Sequence, residues 1–189
     1  MARSKDFDEQ EVLAKAVEIF WRKGYKATSM QDLVDGLGIS RSSLYDTYTD
    51  KHTLYVKALD MYQKDASKNV CSIVNNSGSA KAAIRRLLEY TTTDTEQKGC
   101  FLVNSEVEVA PHDKQIGTMI CSSDQEIEDA FYTAIKRGQE SGEISNKQDA
   151  RALARFTYNT VKGIRVSAKS STNKALFKDI IDMAIEALN

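Results

Sequence analysis

The sequence predicts an all-α protein in two parts: a three-helix head over residues 1–50 and a longer helical domain over residues 51–189. Three observations carry that expectation. One proline and nine glycines in 189 residues are too few for a turn-rich β protein. Apolar residues recur three and four apart in segment after segment. Thr28 to Lys51, reading TSMQDLVDGLGISRSSLYDTYTDK, sets two short helical segments on either side of a glycine turn.

The first helix opens at a capping box of Asp8 with Glu11. Val12, Leu13, Ala16, Val17, Ile19 and Phe20 form its apolar stripe, Trp21 packs at its edge, and Lys23-Gly24 closes it. The second helix opens at Thr28, with Gln31 completing another capping box. Met30, Leu33, Val34 and Leu37 face inward. Gly36 and Gly38 end the segment, since glycine accepts the positive φ of a helix exit. Ser40 caps the third helix, Arg41 to about Tyr48, which Leu44 and Tyr48 hold to the second. Its outward residues are Arg41, Ser42, Ser43, Tyr45, Asp46 and Thr47. Such a face suits a DNA major groove, where arginine reads guanine and hydroxyls serve bases or phosphates. An αα-corner inside an ordinary helical protein fits the same pattern. Arg3 and Lys5 suggest a short arm against phosphate.

A fourth helix from near Asp50 towards Ser72 repeats Leu54, Tyr55, Ala58, Leu59 and Tyr62, and Asn75 to Ser79 reads as a linker. Ala80, Ala83, Ile84, Leu87 and Leu88 mark a fifth helix, followed by a loop to Gly99. Gly99 to Asn104, continuing to Ala110-Pro111, permits a strand. A lone strand would lack a partner, so a helix ended by Pro111 is expected. The seventh helix runs from about Asp113 to Arg137 and is closed by Gly138 and Gly142. The eighth covers about Lys147 to Ser167, and the ninth carries Leu176, Phe177, Ile180, Ile181, Ala184, Ile185 and Leu188.

Composition excludes several classes. The formal net charge is −1, and the first 57 residues hold nine Lys/Arg and nine Asp/Glu, so no global basic signature exists. That balance counts modestly against DNA binding, although the distribution of charge over the surface matters more. Cys71, Cys100 and Cys121 are odd in number and lack a CxxC spacing, which reads as reduced thiols. No signal core or membrane-length apolar run is present, so a soluble cytoplasmic protein is expected. Catalytic chemistry is missing too. Only His52 and His112 exist, Pro111 interrupts a Glu108–His112 metal face, and no nucleophile elbow or phosphate loop occurs. No enzyme activity, metal or cofactor is implied. Glu106 and Glu108 point to different sides of a helix, and Cys100 or Cys121 could act as a thiol sensor.

Leu44-Tyr45, Tyr48, Asp50-Lys51 and Leu54, with Phe20, Gly24 and Tyr25 ahead of Thr28-Ser29, resemble the TetR family of transcriptional regulators. Gly99-Cys100-Phe101 resembles the sixth helix of several members. Ser42 and Asp46 depart from the usual residues and leave the operator sequence open. The resemblance implies a homodimeric, sequence-specific DNA-binding regulator, a repressor released from its operator by a small-molecule effector. Thr28, Ser29, Arg41, Ser42, Ser43, Tyr45, Thr47, Tyr48 and Lys51 are then the expected DNA contacts. Family layout suggests an effector pocket lined by Tyr90, Phe101, Asn104, Glu108, Met119, Phe131, Phe156 and Asn159. It places the dimer contact at Leu153, Val161, Ile164, Phe177, Ile181 and Ile185. The pocket is expected outside the head, whose short helices use their apolar faces on one another. A helical ligand-binding or scaffold protein with a head that does not bind DNA is the alternative.

Overall fold

The computed structural model describes residues 7–92 and 96–189. Among them the chain forms α1 Glu9–Lys23, α2 Met30–Leu37, α3 Arg41–Tyr48, α4 Lys51–Asn75, α5 Ala80–Tyr90 and α6 Phe101–Glu108. A 3-10 turn at Ala110–His112 follows, then α7 Lys114–Glu140, α8 Ala150–Ser167 and α9 Lys174–Glu186. No strand occurs among the described residues, and the stretch after Gly99 is helical. Arg3 and Lys5 lie outside the described residues.

Local chemistry moves several boundaries. The cap of α2 is Ser29, not Thr28: Ser29 Oγ accepts the Asp32 N–H at 3.1 Å, and Asp32 accepts the Ser29 N–H at 2.7 Å. Thr28 is buried and donates its hydroxyl to the Gly24 carbonyl at 2.6 Å, so no lone pair is aimed at the helix start. Asp8 caps α1 through the Gln10 N–H at 2.8 Å, while Glu11 pairs with Lys15 instead of reaching back. The α6 helix stops at Glu108, ahead of Pro111, which sits in the 3-10 turn. Two glycines expected to end helices lie inside them. A Cβ on Gly36 would come within 2.6 Å of the Ile19 side chain, so this glycine lets α1 and α2 touch. A Cβ on Gly138 would lie 2.6 Å from Ile144 and 2.8 Å from Ala80, so α7 continues while α5 and the following loop close on it. Gly38 and Gly142, at φ 70° and 76°, make the true exits.

Two apolar cores result, and α4 belongs to both. The first joins Val12, Ala16 and Phe20 of α1, Leu33, Leu44 and Tyr48 of the helix-turn-helix, and Leu54, Tyr55, Ala58 and Leu59 of α4. It also takes in Phe101 and Leu102 of α6 and Ile116 and Ile120 of α7. The second gathers α5, the later part of α7, α8 and α9, with Val70, Ile73 and Val74 of α4 packed against it. An aromatic ladder stiffens the join: Phe20–Tyr55 at 5.0 Å, Tyr55–Phe101 at 5.5 Å, Tyr62–Phe101 at 5.6 Å and Trp21–Tyr62 at 5.0 Å, all near-perpendicular. Each such pair is worth ~0.5–1.5 kcal/mol beyond its buried area. The head is therefore welded to the domain behind it rather than hung from a linker.

Candidate nucleic-acid interface and ligand cavity

On α3, Leu44 and Tyr48 are buried, and Arg41, Ser42, Tyr45 and Asp46 are exposed. Ser43 and Thr47 are half-buried at the edges of that face. Ser40 Oγ accepts the Ser43 N–H at 3.1 Å and lies 2.9 Å from the hydroxyls of Ser42 and Ser43, which tightens the first turn. Arg41 donates to Gln31 Oε1 at 3.1 Å, and Gln31 donates to Asp35 at 2.8 Å. This relay holds the guanidinium out beside α2 with donors to spare. It also adds Gln31, which the sequence assigned to capping, to the exposed surface beside Arg41. Ser29 is exposed at the start of α2.

Three expected DNA contacts have other tasks. Thr28 is buried under the α1–α2 turn. Tyr48 is fully buried, its hydroxyl has no hydrogen-bond partner, and burial pushes its pKa up to about 12. A side chain with no surface cannot reach a groove. Tyr48→Phe is therefore expected to leave DNA affinity unchanged and to hold or raise stability by ~1 kcal/mol, because it removes an unsatisfied buried polar group. Thermal melting beside operator binding checks this. A tenfold affinity loss at unchanged melting temperature would return Tyr48 to the interface. Lys51 donates to the carbonyls of Tyr25 at 3.0 Å and Thr28 at 2.9 Å, and lies 4.4 Å from the Tyr25 ring centroid. Its donors pin the α1–α2 turn to the start of α4 instead of pointing at phosphate.

Two further ties join head and body. Glu108 accepts the N–H groups of Tyr25 at 3.0 Å and Lys26 at 2.7 Å, so this carboxylate caps the turn rather than facing a pocket. His52 Nε2 lies 2.6 Å from Asp113 Oδ2. The Asp113 carboxyl sits below its ordinary pKa, chiefly because it accepts the Ile116 N–H at the start of α7, and then because of His52.

A cavity of about 510 Å³ lies between head and body. Its walls come from α1 (Ala14, Val17, Trp21), α4 from Met61 to Val70, α5 (Leu87, Tyr90), α6 (Leu102, Val103), α7 (Ile127, Phe131) and α8 (Tyr158, Val161, Arg165). Two of the eight expected lining residues, Tyr90 and Phe131, are there. Phe101 is spent in the aromatic ladder, and Asn104 bonds the Lys98 carbonyl and the Lys169 ammonium. Met119 packs against the first core, while Phe156 and Asn159 face outward. The head also contributes a wall, against expectation, because α1 has a second apolar face at Ala14, Val17 and Trp21. That spacing of three and four was visible in the sequence. Cys100 lines the cavity and its sulfur accepts the Tyr62 hydroxyl at 3.7 Å, whereas Cys71 and Cys121 are exposed. Burial pushes the Tyr62 phenol well above its ordinary pKa.

The residues expected at a dimer contact are mostly inside the monomer: Leu153, Ile164, Phe177 and Ile181 are buried in the second core, and Val161 and Ile185 pack against it. The large apolar side chains that α8 and α9 expose are Phe156, Val166, Leu176 and Met183.

Residues 12–58 match the family of bacterial regulatory proteins of tetR type, and residues 80–184 match the tetracyclin repressor-like C-terminal domain. The chain belongs to the TetR family. An uncharacterized HTH-type transcriptional regulator, YezE of Bacillus subtilis (strain 168), is 34% identical over 194 residues and all of both chains. The HTH-type transcriptional repressor ComR of Escherichia coli (strain K12) is 29% identical over 90% of this chain and 84% of its own. Among solved structures, a cysteine mutant of the TetR family regulator CifR, complexed with a 26-base-pair operator, superposes with a TM-score of 0.87. It is 22% identical, over the whole of each chain. The reduced form of E. coli NemR superposes with 0.85 at 14% identity, covering 95% of this chain and 96% of that one. This TetR-family chain is a DNA-binding transcriptional regulator and not an enzyme, which decides between the two readings its sequence left open. No described helix is long and apolar enough to cross a membrane.

Proposed function

We propose that this protein is a homodimeric repressor that reads an operator through α3 and is released when a small molecule enters the cavity. The observation that carries this reading is the cavity's position: its walls include α1 of the head and α4, which runs on from α3 through the single residues Thr49 and Asp50. A ligand there presses on helices continuous with the reading head. Operator and effector then oppose each other by the same factor through linkage. The sign is supported by the relative ComR, whose name is that of a repressor. The outward apolar residues of α8 and α9 support the dimer, since two heads are needed for two half-sites.

The test is binding to duplexes selected from a random pool, titrated with salt and then repeated with Arg41→Ala. Log K is expected to fall steeply with log salt. Arg41→Ala should cost ~1–3 kcal/mol on the selected site and relax one base pair, with little effect on random duplex. Equal losses on both DNAs would remove Arg41 as the base reader, and salt-independent binding would remove the DNA reading of this face.

A further inference from the structure

We infer that the cavity takes an organic anion, a carboxylate with an apolar or aromatic body, and that Arg165 anchors its charge. The inference rests on the cavity being the effector site. Four charged side chains line it: Asp65, Glu96, Lys98 and Arg165. Asp65 pairs with Lys68, and Lys98 pairs with both Glu18 and Glu96, which also meets Arg22. Arg165 alone has no carboxylate partner among the described residues, although it is half-buried. The contrast on its own helix is sharp. One turn earlier Lys162 is held by Glu106 at 2.9 Å and Asp124 at 2.5 Å.

The guanidinium lies 5.5 Å from the Tyr90 ring centroid and close enough to Tyr62 to favour that phenol's ionised form against burial. It has therefore been placed over the aromatic wall with its hydrogen-bonding edge unused among the described residues. A second donor is idle there as well: the Trp21 indole N–H is buried with no acceptor. Its position in the last turn of α8 gives Arg165 a weak reason to be there, through the carbonyl end of the helix. That effect does not require a place on the cavity wall. A planar carboxylate matches an arginine fork in two parallel hydrogen bonds. The rest of the wall, Val17, Val70, Leu87, Phe131 and Val161 among it, gives that carboxylate's body an apolar bed.

Trp21 is the chain's one tryptophan and lines the cavity, so its emission reports occupancy directly. The experiment titrates decanoate and 4-phenylbutanoate, each beside its methyl ester, into the full chain at neutral pH. The native protein is expected to bind each acid roughly 10- to 100-fold more tightly than its ester, the range of a charge-assisted hydrogen-bonded pair. Arg165→Gln should bring acid and ester together while leaving ester affinity unchanged, and Arg165→Lys should keep part of the preference. Esters that bind as well as acids would overturn the anion class and leave the cavity reading standing. A preference that survives in folded Arg165→Gln would overturn the anchor. If no probe alters Trp21 emission, both this inference and the cavity reading fall. Should Arg165→Gln fail to fold by circular dichroism, the native acid-to-ester ratio and Arg165→Lys decide.

Discussion

Phe156→Glu is expected to yield a folded monomer whose operator affinity has dropped roughly 10²–10⁴-fold, the gain that tethering two binding modules ordinarily supplies. Phe156 is 52% exposed, Val166 53%, Leu176 39% and Met183 67%, on two helices that pack side by side. In the proposed dimer these large apolar side chains, open on adjacent helices, would form the contact surface. Gly163 lies on the same side of α8 as Phe156, and a Cβ there would meet nothing, so a partner helix could approach closely. A glutamate at the centre of such a contact buries an unpaired charge, which is strongly destabilising to association. In the monomer that side chain stands in water, so the fold should survive. Light scattering and circular dichroism separate the two effects. Ile181→Glu makes the contrast: Ile181 is 4% exposed, and charge there should unfold the chain itself. A Phe156→Glu protein that remains a dimer would place the contact elsewhere.

How far the sequence could be read follows from what periodicity encodes. The spacing of apolar residues says which face of a helix is buried, and every helix appeared near its expected place. It does not say which neighbour covers that face. On α8 the buried residues Leu153 and Ile164 were assigned to a partner subunit, yet the same chain's α7 and α9 cover them. Phe156, assigned to the pocket, points away from both. Capping was legible to within one residue, because Thr28-Ser29 offers two overlapping boxes. The choice of Ser29 depends on Thr28 being drawn under the turn by the Gly24 carbonyl. Tyr48 was correctly set inward by spacing, where Lys57 of α4 lies over its ring, and burial then removed it from the DNA face. Arg165 left no trace in any motif, since the absence of an acid partner among the described residues is a property of three-dimensional arrangement alone. The contact of Glu108 with the head, 82 and 83 residues back along the chain, was equally invisible.

That contact carries the other large effect. Glu108→Ala is expected to lower stability by ~2 kcal/mol, since carboxylate-accepted hydrogen bonds are worth ~1.5–3 kcal/mol each and these two are partly open to water. For a chain of this size that corresponds to a melting shift of about 4–8 °C. The local geometry explains why the loss cannot be absorbed. Gly24 has φ 82°, and a Cβ on it would lie 2.8 Å from Glu108 Oε2, so the turn is moulded around this carboxylate. The same helix that ends in Glu108 carries Leu102 and Val103 on the cavity wall, just after Cys100. In the proposed release, a ligand that displaces α6 by a fraction of an ångström would act on the Tyr25 and Lys26 amides, and through them on α2 and α3. Without the carboxylate, ligand binding reported by Trp21 should persist while its effect on operator affinity shrinks towards none. Amide exchange at residues 25 and 26 should rise well above that of α2, and Glu108→Gln, which keeps an acceptor, should recover part of both properties. A Glu108→Ala protein with native melting, native exchange at the turn and undiminished ligand response would show that the signal reaches the head by α4 alone.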